Sequence, residues 1–510
     1  MLLNYPPDDF TLNVWEWLET EVYPNHLQEI FDRRAAAVWI AGSNGWVSLW
    51  LSDLGVNDPP EVRRENLKHV LFKRIFETKF PPPVPERPPL PEQPKGQLKI
   101  ALGGFTRSGT LTLPLVCHLM EGFSKFTRDP DYIKRLLDTI ASAGYDAVRT
   151  LDILGWYDGG WGGKEVTPVP SRNKSGNRVE ATPNYYQQLE NYILECHSRG
   201  LALAWSRGDL QLLSHRQLEE HFTTLGQLGV PSEAVFLFEG CNEAWQNGAP
   251  DPSRLLELVR LFKRQRPEII CGLSCPTNAS EEPADFREWT EGADITIIHN
   301  FRGGEDTDRI RHIFSNGYEG MPMLGRRVAW QNEPPGPDDD DGSDDVTVGD
   351  TSDPEALGAM AAVSFLARQA WTYMSGDGVF LDGSPFEEQP AFSIIPKIRA
   401  LIPPDVMAYP MLVHGGRDNS VLITPNRQYS SEGGEIDRID QAISDDGKVV
   451  AVAYGRANRR QAEIMVDDGR RFEGMIINPG TAEVHELRIA AGERVPVDFR
   501  FSRLLIGQVT

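Results

Sequence analysis

The period at which apolar residues recur changes along the chain, and each change marks a different kind of element. In residues 1–80, Trp15, Leu18 and Val22, then Leu27, Ile30 and Phe31, and later Leu67, Val70, Leu71, Ile75 and Phe76 fall at helical spacing, which predicts a small helical module. Residues 81–96 interrupt the pattern with Pro81-Pro-Pro-Val-Pro-Glu-Arg-Pro-Pro-Leu-Pro-Glu-Gln-Pro94. Proline lacks the amide proton that a helix or a central strand needs, so this stretch reads as a stiff, extended linker.

Residues 97–405 alternate short apolar runs with amphipathic stretches. The runs at 98–103, 147–151, 201–205, 235–239, 269–273, 294–299, 322–324 and 378–381 predict strands. Helices are predicted at 132–143, 184–198, 217–228, 252–264, near 284–289, near 307–314 and at 354–373. Eight strands alternating with helices, without a Gly-x-Gly-x-x-Gly turn, predict an α/β fold of the (β/α)8 TIM-barrel type instead of a doubly wound sheet. In residues 406–510 the period shortens again. Runs at 449–454, 461–466, 472–478, 483–488 and 502–506, separated by Asp-Asp-Gly and Asn-Pro-Gly turns, predict a C-terminal antiparallel β-sandwich.

Composition narrows the choice of partner. The chain has 510 residues and a formal net charge of −23, which argues against nucleic acid, since phosphate binding needs clustered Lys and Arg. No window of about 18 apolar residues occurs, so no membrane span is expected. Met1-Leu-Leu-Asn-Tyr-Pro-Pro-Asp-Asp9 has neither the basic nor the apolar part of a secretory signal, so no signal peptide is expected and the location is expected to be cytoplasmic or virion-associated. The five cysteines, Cys117, Cys196, Cys241, Cys271 and Cys275, are odd in number and read as reduced core residues. Cys271 and Cys275 have no second pair of ligands after them, so neither metal nor cofactor is expected.

The chemistry concentrates in Val235-Phe-Leu-Phe-Glu-Gly-Cys-Asn-Glu-Ala-Trp245, a strand-forming run that delivers Asn242-Glu243 at its end. A second such dipeptide, Asn332-Glu333, lies 90 residues later. Two strand-end carboxyl groups in one barrel suit hydrolysis of a glycosidic bond, one protonated to assist the leaving oxygen and one ionised to attack the anomeric carbon. In these motifs the chain resembles the clan A retaining glycoside hydrolases, cellulase-like barrels. The resemblance implies that Glu243, after the fourth strand, is the acid/base and that Glu333, after the seventh, is the nucleophile. It also matches Arg149 in Tyr145-Asp-Ala-Val-Arg-Thr150 to the arginine that keeps the nucleophile ionised, His299 in Ile295-Thr-Ile-Ile-His-Asn-Phe301 to the histidine near it, and Asn242 to the residue that binds the sugar 2-hydroxyl. The chain departs from the pattern at Phe301, where many members have tyrosine, and in the eight residues between Leu324 and Glu333. Glu239 is a rival carboxylate that alternation places on the face of Glu243, and it reads as a core ion pair.

Aromatic rings stack on the apolar faces of pyranose rings. Trp156, Trp161, Trp205, Trp245 and Trp330 lie at or after predicted strand ends and are read as substrate-binding residues, and Arg207 in Arg207-Gly-Asp209 as a further polar contact. The acidic run Asp338-Asp-Asp-Asp-Gly-Ser-Asp-Asp345 lacks the spacing of a calcium loop and reads as a solvated flap. The leading expectation is cleavage of a β-linked poly- or oligosaccharide. A virion or tail protein that binds cell-surface glycan on the same barrel is the alternative. It rests on the missing signal and on five of the twelve tryptophans falling in the first fifty residues, which suggest protein assembly through residues 1–95.

Overall fold

The structure, a computed structural model, describes residues 96–156, 165–244, 247–248, 251–275, 292–299, 328–334, 354–375, 386–409, 411–413, 423–425, 439–453, 461–466, 469–498 and 502–510, together with three strands near the N-terminus. The chain divides into two compact units, Met1–Pro88 and Pro89–Thr510. In the first, Leu2–Tyr5, Ala35–Ile40 and Gly45–Trp50 form a sheet whose first pair is parallel and second antiparallel. This corrects the expectation of a wholly helical module. Two apolar runs joined by Ala41-Gly-Ser-Asn44 are a hairpin signal, and here Trp39 pairs with Trp46 across it. The helical positions at 15–31 and 67–76, and the proline-rich stretch, lie outside the described residues.

The second unit is built on a closed barrel of eight parallel strands in chain order. These are β1 (Leu115–His118), β2 (Ala147–Leu151), β3 (Ala202–Ser206), β4 (Val235–Glu239), β5 (Ile270–Cys275), β6 (Ile295–His299), β7 (Ala329–Glu333) and β8 (Gln369–Tyr373), with β8 pairing back to β1. Strands covered by helices outside and side chains inside are buried on both faces, which is why β1, β2, β3 and β4 contain no exposed position. The helices carry their own boundaries. In α1 (Pro130–Ala143) the Asp129 side chain accepts from the Tyr132 amide, Pro130 opens the first turn, and Gly144 at φ +100° closes the last. In α3 (His215–Gly226), which follows α2 (Tyr185–Ser198), Ser214 and Gln217 form a capping box. In α4 (Pro252–Gln265) Asp251 caps the Ser253 amide.

Three predicted strands are misplaced. The run at 98–103 is not in the barrel: Leu98–Ala101, Gly104–Arg107 and Thr110–Thr112 form a small antiparallel sheet. Phe105 of that sheet meets Phe236 at the start of β4, with 5.6 Å between ring centroids, so the sheet lies at the N-terminal end of the barrel. The first barrel strand comes later, after Pro114. The seventh is Ala329–Glu333, and 322–324 lies outside the described residues. The eighth is Gln369–Tyr373, inside the stretch predicted as one helix, and 378–381 also lies outside the described residues. That helix, α5 (Pro354–Leu366), is buried continuously from Leu357 to Leu366, so its sequence has no polar face to show where it stops.

After α6 (Pro390–Leu401) the chain forms β9 (Met411–Val413), β10 (Ile423–Pro425), β11 (Ile439–Ile443), β12 (Lys448–Ala453), β13 (Gln461–Val466), β14 (Phe472–Ile477), β15 (Val484–Ile489), β16 (Arg494–Asp498) and β17 (Arg503–Val509). They make a six-stranded sheet in the order β9-β11-β12-β17-β14-β15 and a three-stranded sheet β10-β13-β16. Alternation along β12 and β17 sends Val450, Val452, Leu504 and Ile506 into the barrel's core and Val449, Ala451, Leu505 and Val509 into a second core shared with Val466. The larger sheet is thus apolar on both faces and packs on α5, where Gly358 approaches Pro479 too closely to admit a side chain.

Candidate active site

Arg149 on β2 organises the C-terminal end of the barrel. Its side chain is wholly buried and donates from Nη1 to Glu333 Oε1 at 2.6 Å, from Nη2 to Asn242 Oδ1 at 2.5 Å and to Glu239 Oε2 at 3.3 Å, and from Nε to Ser206 Oγ at 3.3 Å. His118 on β1 lies with Nδ1 3.3 Å from Nη1. One guanidinium therefore ties together residues of β1, β2, β3, β4 and β7 and the turn after β4. Burial pulls the Arg149 pKa down, but the Glu239 and Glu333 carboxyls outweigh it and the net direction is up. A cation this close favours the ionised form of the carboxyl it holds. Glu333 is the last residue of β7 and is 4% exposed, so the eight-residue gap after Leu324 contains the strand itself.

Glu239 and Glu243 separate in space. β4 ends at Glu239, whose side chain is fully buried and lies between Arg149, Ser206, Ser274 and Asn332. Glu243 is in the turn beyond the strand and is half-buried. Its backbone stands at φ +41°, a left-handed conformation that costs a side-chain-bearing residue about 1–2 kcal/mol. The turn is held by the Asn247 amide donating to the Glu243 carbonyl at 3.0 Å and by Asn247 Nδ2 donating to the Asn242 carbonyl at 2.8 Å. On its other side the Asn242 amide donates to the Arg207 carbonyl at 2.7 Å.

The tryptophans and Arg207 distribute differently from the reading of them as sugar contacts. Trp205 is inside the barrel wall, edge-on to Phe238 and Phe262, with its ring N–H donating to Asp152 Oδ2 at 2.7 Å. Trp330 is buried within β7, edge-on to Phe236, donates to Thr372 Oγ1 at 2.9 Å, and lies beneath the Arg149 guanidinium at 5.8 Å. Arg207 is also in the wall, 3.6 Å above the Phe238 ring and 3.5 Å from Asp152. None of these three side chains reaches solvent, so none offers a face to a sugar. Trp156 is half-buried in the loop after β2, where Asp209 accepts from its amide at 3.1 Å and from that of Gly155 at 2.7 Å. Trp161, Trp245, Phe301 and residues 338–345 lie outside the described residues, and for His299 only the backbone at the end of β6 is described. His118, Ser206 and Ser274 join the site without having been anticipated. The only signal for His118 is its place at the end of Leu115-Val-Cys-His118.

No protein-family model matches the chain, and no curated protein matches it in sequence. Solved structures do match its fold. A glycoside hydrolase family 5 structure from Bacteroides vulgatus ATCC 8482 superposes with a TM-score of 0.57 over 81% of this chain and 93% of its own, at 12% identity. The chain shares its fold with glycoside hydrolases. A second glycoside hydrolase structure superposes with a TM-score of 0.56 over 81% of this chain and 97% of its own, again at 12% identity. Coverage of more than three quarters of the chain means that the likeness takes in more than the barrel alone. Among the described residues no helix is long and apolar enough to cross a membrane.

Proposed function

We propose that the protein is a retaining glycoside hydrolase acting on a β-linked poly- or oligosaccharide, with Glu333 as nucleophile and Glu243 as acid/base. The observation that carries the reading is the 2.6 Å bond from Arg149 to Glu333 at the end of β7, on a guanidinium that also holds Asn242, the neighbour of Glu243. Arg149 keeps Glu333 ionised and therefore able to attack the anomeric carbon. Of the two glutamates near β4, Glu239 is enclosed by protein donors, whereas Glu243 is in a turn and partly open to solvent. Glu243 is thus the one able to hand a proton to the leaving oxygen, and later to take one from the water that releases the sugar from Glu333. With Asn242 Oδ1 occupied by Arg149, its amide nitrogen is the group left to donate to a sugar hydroxyl. Trp156, Trp161, Trp245 and His299 complete the proposed substrate contacts.

The test is a screen of aryl β-glycosides and β-glucans with wild type, Glu333→Gln and Glu243→Ala. Wild-type turnover with retention at the anomeric carbon, loss of about 10³-fold or more in Glu333→Gln, and azide rescue of Glu243→Ala are the expected results. Unchanged turnover in Glu333→Gln removes it as nucleophile. Binding of polysaccharide with no turnover by wild type favours the glycan-binding alternative, with residues 1–95 as its anchor.

A further inference from the structure

Ser274 on β5 has one hydroxyl proton and two close acceptors. Its Oγ is 2.5 Å from Glu239 Oε1 and 2.7 Å from the Cys241 carbonyl oxygen. Oxygens this close need a hydrogen between each pair. Ser274 supplies one of the two, and a carbonyl oxygen has none to give. The other hydrogen therefore belongs to Glu239.

The surroundings of the second carboxyl oxygen agree. Ser206 Oγ accepts from Arg149 Nε at 3.3 Å and so turns its own proton to Glu239 Oε2. Arg149 Nη2 donates to the same oxygen at 3.3 Å. Oε2 is thus the accepting, carbonyl-like oxygen and Oε1 the one that bears hydrogen, while Oε1 still accepts from Asn332 Nδ2 at 3.1 Å. Charge points the same way. The Glu239 side chain is 0% exposed and the Glu333 side chain 6%, and both rest on one guanidinium. A proton on one of them relieves the repulsion between two carboxyl groups held on the same cation away from water. Among the described residues the other titratable groups near it are His118 beside Arg149, Arg207 and the Cys241 thiol.

We propose that Glu239 is protonated at neutral pH and acts as a positioning residue, donating through Oε1 to Ser274 and leaving the charge of Arg149 to Glu333. The proton relay Glu239–Ser274–Cys241 carbonyl fixes the start of the turn that carries Asn242 and Glu243. The Asn332 bond fixes the residue before Glu333. One neutral carboxyl thereby sets the spacing between the segments that carry both candidate catalytic groups. This deepens the function proposed above and rests on it for its consequence, though not for the proton assignment.

Infrared difference spectroscopy of wild type minus Glu239→Gln at pH 7 decides the assignment. The band lost should be the C=O stretch of a protonated carboxyl group, above the amide region. Loss of a carboxylate band instead overturns the proposal. Ser274→Ala gives a second reading that spares Glu239: without its acceptor the same C=O band moves to higher frequency, and an unmoved band counts against the relay. In kinetics, Glu239→Gln removes no charge if the acid is already neutral, so the acid limb of its kcat/KM profile stays where it is in wild type. An acid limb displaced by about one pH unit or more means that a negative charge was removed, and overturns it. Because the infrared bands do not require turnover, a protein that cleaves no glycan would refute the proposed function while the proton assignment is still decided.

Discussion

Arg149 and Arg207 are both completely buried, one on β2 and the other one residue beyond β3, yet they sit in opposite electrostatic settings. Arg149 points along the inside of the barrel, where two carboxyl groups, an amide oxygen and a serine gather on it, and its pKa is pushed up despite burial. Arg207 is in the wall between strands and helices, over Phe238 at 3.6 Å, Trp205 at 5.3 Å and Phe222 at 5.7 Å, with Asp152 3.5 Å away. Its pKa is lowered, because burial outweighs Asp152. Asp152 responds in turn: burial raises its carboxyl to about 6 even though Arg207 and the Trp205 ring N–H pull it down. A buried arginine is therefore no signal of a site by itself. What distinguishes Arg149 is an excess of acceptors at the strand ends, while Arg207 is held as much by aromatic faces as by charge.

The comparison breaks or holds on two substitutions. Arg149→Met leaves Glu333 buried without its cation, and urea unfolding at pH 7 should show a loss of about 3–5 kcal/mol together with loss of turnover. Arg207→Met should lose less, about 1–3 kcal/mol, because Asp152 already lies near neutrality and takes up a proton once its partner is gone. That deficit should shrink between pH 8 and pH 5, as protonation of Asp152 becomes easier. The double variant Arg207→Met/Asp152→Asn should regain most of it, since neither charge is left unpaired. An equal, pH-independent loss in the two single variants would mean that the wall arginine is held as the site arginine is.

The same contrast explains what could be read from the chain. β2 to β6 are short apolar runs between clear turn signals, and their positions follow from the pattern. β1 hides behind Pro114, β7 is Ala-Trp-Gln-Asn-Glu with polar groups turned to the barrel interior, and β8 follows a helix apolar on every side, so periodicity says nothing at those three. Arg149, Asn242 and Glu333, which the Asn-Glu dipeptides and the resemblance single out, are brought together by direct bonds. Trp205, Trp330 and Arg207 mislead because a strand buried on both faces can hide large polar-tipped side chains in its wall or interior. Residue type cannot tell such a position from a loop. Glu239 is placed by alternation on the face of Glu243, yet the strand stops at Glu239 and only the earlier glutamate stays in the core.

A third substitution sharpens the role of charge in the wall. Among the described residues Asp209 has no arginine as a hydrogen-bond donor, only the Gly155 and Trp156 amides, and burial raises its carboxyl to about 6, as it does for Asp152. Because the folded carboxyl binds its proton more tightly than the ordinary 3.8, it adds stability that is complete below about pH 4 and is lost as pH rises through 6. Asp209→Asn keeps an oxygen for both amides and removes the charge. It should leave stability at pH 4 nearly unchanged and raise it by about 2 kcal/mol at pH 8, read from urea midpoints. No gain at pH 8 would mean that the two amides suffice to hold the anion.

The smallest effect is expected where geometry alone is at stake. Asn247→Ala removes the side-chain bond to the Asn242 carbonyl while leaving the backbone bond to Glu243, so stability should fall by only about 1 kcal/mol. The turn holds Glu243 at φ +41° against its own preference, and loosening it should lower kcat about tenfold with little change in KM. A fall in stability with kcat intact would show that the backbone bond and the Asn242–Arg149 contact hold the turn without the side chain. The Glu243 carboxyl would then be positioned from the Arg149 side of the site, and the electrostatic cluster and the turn would be one device.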